Sequence, residues 1–225
     1  MIKVKFEGLD ATLANLKGLG KQVRYAAAVA LTKTAKKVSD AMPSVMERQL
    51  DRPTSFTKAG MRIERATPDK LTAVVTFKDR QKSYLKWQIE GGTRAPNRKA
   101  LRLPSAIKLD QYGNIPKGVI AKLVAVARKE SKLAKRTSRR IAVSNKLDLF
   151  YGDPKDVGGH KFPPGIYKIV KQGAREQLVP LIVFPQQSAR YKQRFNFVRE
   201  GEAIVQREWR STFDQALADA LRTAR

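Results

Sequence analysis

The amino-acid sequence predicts an α+β fold in which long N- and C-terminal helices pack on a curved antiparallel sheet that carries an inserted basic amphipathic helix. Apolar residues recur at steps of three and four over residues 21–50 and 199–225. Alternating apolar and polar residues mark four or more strands between these segments, and residues 116–140 combine helical periodicity with many cations. We therefore expect a single α+β domain over residues 1–225, with a basic insertion over residues 94–165.

The N-terminal part of the chain is predicted to form a strand, a short helix and a long helix. Residues 1–8 alternate between apolar and charged side chains, which is typical of a half-buried strand. Leucines at helical spacing over residues 9–16 predict the short helix. Pro43 lies inside the long apolar stripe of residues 21–50 and removes an amide donor there, so we expect a kink near Ala41 rather than two helices.

A β-hairpin and a tight turn are predicted next. Residues 61–65 and 71–77 alternate in polarity, and the link at residues 67–70 has Pro-Asp at its centre, which is turn chemistry. The apolar segment 84–89 follows. It ends at residues 91–92, where two consecutive glycines indicate a tight backbone turn.

The second half of the chain is predicted to contain a basic helix, a loop and another hairpin. Residues 116–140 place apolar residues on one side of a helix and cations on the other. Residues 151–165 are rich in Gly and Pro and are predicted to form a loop. Residues 166–171 and 178–184 alternate as a hairpin, in which Pro180 requires an edge or a bulge because proline has no amide hydrogen.

Net charge is the strongest functional signal in the sequence. The chain has 46 Lys plus Arg against 20 Asp plus Glu, a net charge of +26. Charge of this size repels itself in a compact monomer, so it points to a polyanion or an acidic protein surface as partner. DNA, RNA and anionic membrane are the candidates.

The sequence also limits where the protein is made and which kinds of site it can contain. No apolar run reaches the roughly eighteen residues of a membrane span, and the N-terminus lacks the apolar core of a signal peptide, so we expect no transmembrane span and synthesis in the cytoplasm. The chain has no cysteine. This excludes disulfides, thiolate nucleophiles and cysteine-based zinc sites.

Residues that could support an enzyme are few. The one histidine, His160, lies in the Gly/Pro-rich loop without a nearby nucleophile. Asp153, Asp156 and His160 could hold a hard cation, but their spacing matches no calcium loop. Asp69 and Asp153, each next to proline, loosely imitate the carboxylates of a magnesium-dependent nuclease. We therefore expect no enzymatic activity, no metal and no cofactor, with a nuclease and a free nucleic-acid-binding protein as the alternatives.

The order of segments resembles a known family. The stretches that carry the resemblance are IKVKFEGLDATLANL, YAAAVALTKTAKKV, YLKWQIEGGT, GIYKIV, LVPLIVF, YKQRFNF and FDQALADAL. Together they resemble the tail-completion, or minor tail protein Z-like, proteins of tailed bacteriophages over nearly the whole chain. Glu90, Gly91, Gly92 and Thr93 resemble the family's Glu-x-Gly-Thr turn after a helical segment, with a glycine where a bulky residue is more usual in the family. Residues 191–197 and the helix after them resemble its closing segment.

The resemblance implies a structural role in the virion, at the neck or upper tail. It implies a protein without catalytic activity that assembles as a homo-oligomeric ring, expected to be six-fold, and finishes a tail competent for head joining or DNA delivery. The expected partners are other neck or tail proteins, namely terminator, stopper, tube or tape measure, and phage DNA bound through its phosphates. No membrane partner is expected.

Two groups of cations are candidate contact residues under this hypothesis. Those expected to face DNA, the ring lumen or a neighbouring subunit are Arg128, Lys129, Lys132, Lys135, Arg136, Arg139, Arg140, Arg94, Arg98, Lys99 and Arg102. Those expected to pack against the next subunit, on the polar side of the long helix, are Lys33, Lys36, Lys37 and Arg48. Any DNA contact by these residues should be salt-dependent and indifferent to sequence.

Overall fold

The structure is a computed structural model that describes residues 2–5, 20–95, 102–136, 149–152, 162–172, 175–185 and 187–223. It confirms a mixed fold with a long helix near each end of the chain and antiparallel sheets between them. The chain divides into two compact units. One comprises Met1–Gly92 and Tyr191–Arg225, and the other comprises Thr93–Arg190. The predicted insertion, residues 94–165, falls within the second unit.

In chain order the elements are β1 (Ile2–Lys5), α1 (Gly20–Gln49), α2 (Ser55–Lys58), β2 (Met61–Glu64), β3 (Thr72–Phe77), α3 (Asp79–Ile89), β4 (Gly92–Arg94), β5 (Leu103–Pro104), α4 (Val119–Arg136), β6 (Leu149–Gly152), β7 (Gly165–Gln172), β8 (Arg175–Val183), β9 (Ala189–Tyr191) and α5 (Phe197–Arg222). The described strands fall into three sheets, where the sequence predicts one.

Helix α1 confirms the predicted long helix and continues through Pro43 as one helix. Its buried face extends from Ala26 to Met46 at helical spacing. The helix ends before Arg52, whose φ of 44° lies in the left-handed region. The next residue is Pro53, and a residue before proline is disfavoured in the right-handed helical conformation.

Strand β3 is the central strand of the sheet in the first unit, between β1 and β2. It pairs antiparallel with both, with Ile63 opposite Val75 and Met61 opposite Phe77 in the predicted hairpin. Thr67 and Lys70 close the turn with two reciprocal backbone hydrogen bonds of 3.0 Å. The predicted hairpin is therefore confirmed.

Aromatic rings join this sheet to the helices. Phe77 of β3 lies 4.7 Å from Phe197 and 6.2 Å from Phe195, measured between ring centroids, and all three side chains are buried. They pack in one cluster with Leu31 and Met42 of α1. Full burial of a phenylalanine contributes about 1.5–3 kcal/mol, so these rings anchor the start of α5 to the sheet.

Helices α1 and α5 run antiparallel and pack along most of their length. Ala26 and Ala30 of α1 cluster with Ala216 and Ala220 of α5. At the opposite end of the pair, Gln49 of α1 donates a hydrogen bond of 2.8 Å to Glu200. Small side chains at a helix contact let the two backbones approach closely, which explains the run of alanines in the first half of α1.

The second unit contains a four-stranded sheet with strand order β5-β8-β7-β6, on which α4 packs through β6 and β7. Strands β7 and β8 form the predicted hairpin. Pro180 lies opposite Tyr167, at a register shift between Ile166 and Tyr167. The bulge accommodates the missing amide hydrogen of proline. The sequence predicted an edge or a bulge at Pro180, and the bulge is confirmed.

The boundaries of several predicted elements are wrong. The loop predicted over residues 151–165 is too long at both ends, because β6 includes Tyr151 and Gly152 and β7 begins at Gly165. Tyr151 and Gly152 belong to a strand because they pair with β7, and a segment as short as β6 is not specified as a strand by its own sequence. Helix α4 begins at Val119 rather than at residue 116, since Gly118 has a φ of +83° that a helix cannot contain. Strands β4, β5, β6 and β9 and the short helix α2 were not predicted. The short helix predicted over residues 9–16 lies outside the described residues.

Candidate polyanion-binding surfaces

The lysine and arginine side chains that the structure describes are displayed to solvent. All of them except Arg24 and Lys58 are exposed, and none is buried. Some form surface ion pairs, such as Arg62 with Glu64 and Arg222 with Asp219. Exposed pairs of this kind contribute about 0–1 kcal/mol each, and pairing within the chain leaves the net charge of +26 unchanged. The excess charge is thus accessible to an external polyanion.

Helix α4 carries most of the cations predicted to form a basic stripe. Its backbone includes Arg128, Lys129, Lys132, Lys135 and Arg136. Arg139 and Arg140 lie outside the described residues. Ala127, just before the basic stretch, is fully buried, and the helix packs on β6 and β7 of the second unit. The structure confirms that these cations share one helix, and their contact with DNA or a neighbouring subunit stays a prediction.

The basic loop before α4 is described in part. Arg94 is exposed on β4, and Arg102 is exposed directly before β5. Arg98 and Lys99 lie outside the described residues. Of the predicted contact residues in this loop, Arg102 lies near α4, because Arg102 and residues of α4 line one cleft, which is described next.

The cleft lies within the second unit and has a volume of about 610 Å³. Its lining residues are Arg102, Ile115, Pro116, Lys117, Gly118, Ile120, Ala121, Val124 and Ala125. The sequence predicted that the apolar residues of α4 share one side of the helix, and it did not predict that some residues of this helix border a cleft. The available signal was the sequence Pro116-Lys117-Gly118, which indicates a turn that precedes the helix.

The cations predicted to pack against a neighbouring subunit differ in their surroundings. Lys33 and Lys36 are exposed. Lys37 Nζ lies 2.9 Å from Glu208 Oε2 and donates a hydrogen bond of 3.0 Å to Thr212 Oγ1. Arg48 Nη2 lies 3.9 Å from Glu200 Oε2. Lys37 and Arg48 therefore connect α1 to α5 of the same chain, and this contact accounts for their position without a second subunit.

Glu208 receives two cations at this helix contact. Arg207 donates a hydrogen bond of 2.8 Å to one carboxylate oxygen, and Lys37 binds the other. The Arg207 guanidinium first, and then the Lys37 ammonium, hold the pKa of Glu208 below its ordinary value of 4.5. The carboxylate thus stays ionised wherever the helix pair is assembled at neutral pH.

The turn at residues 90–93 wraps closely around the segment that leads into α5. Gly91 and Gly92 have φ values of 69° and 106°, which favour glycine. A Cβ at Gly91 would lie 3.1 Å from the Tyr191 carbonyl oxygen and 3.2 Å from the Gln193 nitrogen. The tight turn predicted from the two glycines is confirmed, and the close approach explains why Gly91 has no side chain.

A cationic and aromatic cluster lies beside this turn, and no pattern in the sequence predicts it. The Trp87 ring stacks on Tyr191 at 5.9 Å, and Lys86 Nζ lies 4.6 Å from the Trp87 ring centroid. The amide hydrogens of Arg194 and Phe195 both bind the Gln88 carbonyl oxygen. Cation–π contacts of exposed residues contribute about 0.5–1 kcal/mol. The cluster therefore holds the closing segment against the end of α3.

The residues considered for enzymatic chemistry have no catalytic arrangement in the described part of the chain. Asp69 is exposed on the hairpin turn. No group of three or more His, Cys, Asp or Glu residues that could hold a metal ion occurs among the described residues. Asp153, Asp156 and His160 lie outside them.

Comparison with known proteins gives no relative: no protein-family model, no curated protein and no solved structure matches this chain. Within the described helices, none combines the length and apolar character needed to cross a membrane.

Proposed function

We propose that this protein is a non-enzymatic structural protein of a tailed phage, a ring-forming tail-completion or neck component that helps to join head and tail and lines the DNA path. The support from sequence is the resemblance in the order of segments to the tail-completion proteins. The support from the fold is that the quoted segments coincide with elements: YAAAVALTKTAKKV lies in α1, YLKWQIEGGT spans the end of α3 and its turn, and FDQALADAL lies in α5.

One observation carries the proposal furthest, the display of so many cations with so few acidic neighbours. A monomer gains nothing from this self-repulsion. In a closed ring of identical subunits the same surface is repeated around an axis, so the potential in the lumen is the sum over all copies. DNA that passes through such a lumen is held by its phosphates, and its sequence is not read.

A free, sequence-independent nucleic-acid-binding protein is the second candidate, and the same exposed cations favour it. The two functions differ in assembly and location. A virion component forms a defined oligomer and remains with the particle, whereas a free DNA-binding protein coats DNA without a fixed number of copies.

The test is the location and assembly state of the protein. Virions purified by density gradient are analysed by mass spectrometry, and by cryo-electron microscopy for a ring at the neck or upper tail. The expected result is this chain in the particle at a fixed copy number, in density that fits both units. Its absence from purified virions would refute the proposal and leave the free DNA-binding protein.

A further inference from the structure

The cleft in the second unit has one wall that is fixed by local hydrogen bonds. Asp110 Oδ1 accepts the amide hydrogens of Tyr112 and Asn114, each at 2.9 Å, and the Asp110 amide binds the Asn114 carbonyl oxygen at 2.9 Å. The segment from Ile115 to Gly118 follows directly and lines the cleft. This wall therefore continues directly from a loop that is held by its own hydrogen bonds, and a loop held in this way loses less conformational entropy when a ligand binds.

The other wall is an apolar face of α4. Ile120 and Val124 are half-buried and lie one helical turn apart, and Ala121 and Ala125 beside them are exposed. Small alanines at successive turns leave room for another chain to approach the helix closely. A ligand that places apolar side chains on this face removes apolar surface from water, which is favourable by about 25 cal/mol for each Å².

The charged residues that line the cleft are both cationic. Arg102 and Lys117 are exposed, and none of the described residues that line the cleft is acidic; we refer to these two cations as the rim. Lys122, on the next exposed position of α4, adds a third cation near this end of the helix. The occupant that complements the site is thus anionic at its edges and apolar at its centre.

Of the anionic partners, a protein segment fits this combination better than a nucleic acid. A phosphate backbone is charged along its whole length, so it gains little from Ile115, Ile120 and Val124. A peptide that has spaced apolar side chains with acidic side chains between them satisfies both the face and the rim. The volume of about 610 Å³ lies in the range of clefts that bind ligands of a few side chains.

We propose that this cleft binds a short acidic segment of a partner protein, with apolar side chains seated on Ile120 and Val124 and carboxylates against Arg102 and Lys117. This inference goes beyond the proposed function, because it assigns a protein-binding site with its own chemistry and holds whether or not the chain is part of a virion.

The test uses the full-length protein and a fluorescent synthetic peptide of about twelve residues with leucines at i and i+4 and glutamates between them. The readout is fluorescence anisotropy. Ala121→Trp fills the cleft, and Arg102→Glu with Lys117→Glu reverses its rim. Each is expected to weaken binding by about tenfold or more, since each removes the central contact or a charge pair.

A charge-matched control separates the cleft from general attraction. Lys70→Glu with Lys82→Glu makes the same change of net charge at exposed positions of the first unit, and it should weaken peptide binding by less than about twofold. A peptide with serine in place of leucine carries the same charge and should bind about tenfold more weakly or worse.

Four results would overturn the inference. In the first, the two charge-reversal pairs weaken peptide binding equally; in the second, the serine peptide binds as tightly as the leucine peptide. In the third, Ala121→Trp binds the leucine peptide as tightly as wild type does. In the fourth, a DNA duplex displaces the peptide from wild type and from the rim variant equally well. A fifth result would come from the oligomeric state, measured by light scattering without peptide. If the wild type forms an oligomer and the Ala121→Trp variant does not, the cleft is occupied by a second copy of this chain. Because Arg102 and Lys117 are exposed, the rim variant keeps the test valid if Ala121→Trp does not fold.

Discussion

Gly91 combines two separate reasons for having no side chain, a left-handed backbone and a close contact. Its φ of 69° strains any residue with a Cβ, and that Cβ would meet the backbone of Tyr191 and Gln193. The double glycine in the sequence predicted the turn. It could not predict the second reason, because the contacting backbone comes from a distant segment near the other end of the chain.

We predict that Gly91→Ala lowers the free energy of unfolding by about 1–3 kcal/mol, measured by urea denaturation. Gly118→Ala is the matched control. Gly118 has a similar φ of +83°, and among the described residues no atom beyond the two chain neighbours lies within 4 Å of the position that a Cβ would take, so this variant reports the backbone strain alone. Equal destabilisation in the two variants would mean that the approach to the closing segment contributes nothing.

Glu208 makes the stability of the helix pair depend on pH. Its pKa is depressed in the folded chain by Arg207 and Lys37, so the stabilisation is fully present above about 4.5, the unfolded value, and disappears as the pH falls through the lower folded value. We predict that Glu208→Gln is less stable than wild type at pH 7 and that the difference shrinks below about pH 4.5.

Glu202→Gln provides the control for this prediction. Glu202 is an exposed residue of the same helix, and its replacement raises the net charge by the same amount. If thermal unfolding shows the same pH dependence for both variants, the effect comes from total charge and not from the ion pair with Lys37.

The alanine contact between α1 and α5 is the element that unites the first unit. Ala216 is buried against α1. We predict that Ala216→Leu lowers the free energy of unfolding by about 1–3 kcal/mol, because a larger side chain overpacks the contact. Ala218→Leu, on the exposed side of the same helix, should change it by less than about 0.5 kcal/mol. Similar destabilisation at both positions would refute the close helix contact.

The elements that the sequence predicted well are those whose pattern is long. Helix α1 and the hairpins β2–β3 and β7–β8 each repeat their periodicity several times, and Pro180 indicated its bulge by lacking an amide hydrogen. Strands β5 and β6 are two and four residues long. Segments of this length have no periodicity of their own, and partners elsewhere in the chain decide that they are strands.

The cleft could not be predicted for a related reason. Arg102 and Val124 are far apart in sequence, and the loop held by Asp110 brings the turn before α4 into place. The periodicity of α4 predicts an amphipathic helix. However, periodicity does not distinguish an apolar face that is covered from one that borders an opening.

The net charge of the whole molecule predicts how DNA binding, under the proposed function, should depend on salt. Affinity should fall steeply as salt rises, with a logarithmic slope of about 0.9 for each phosphate that the protein neutralises. We predict that Lys132→Glu, Lys135→Glu and Arg136→Glu together reduce this slope by the equivalent of about three phosphates, measured by anisotropy on a DNA duplex. The same reversal at Lys21, Lys70 and Lys82 of the first unit is the control. If the control variant reduces the salt slope by the same amount, DNA binding does not depend on α4 in particular.

The central claim is that this chain completes a phage tail, and complementation of a phage that lacks its gene tests this claim most directly. Without the gene, we expect separate heads and tails by electron microscopy and no plaques. Wild-type protein should restore both, and the triple variant at Lys132, Lys135 and Arg136 should not, although its folding by circular dichroism is unchanged. Joined particles and a normal titre in the absence of the gene would contradict the claim.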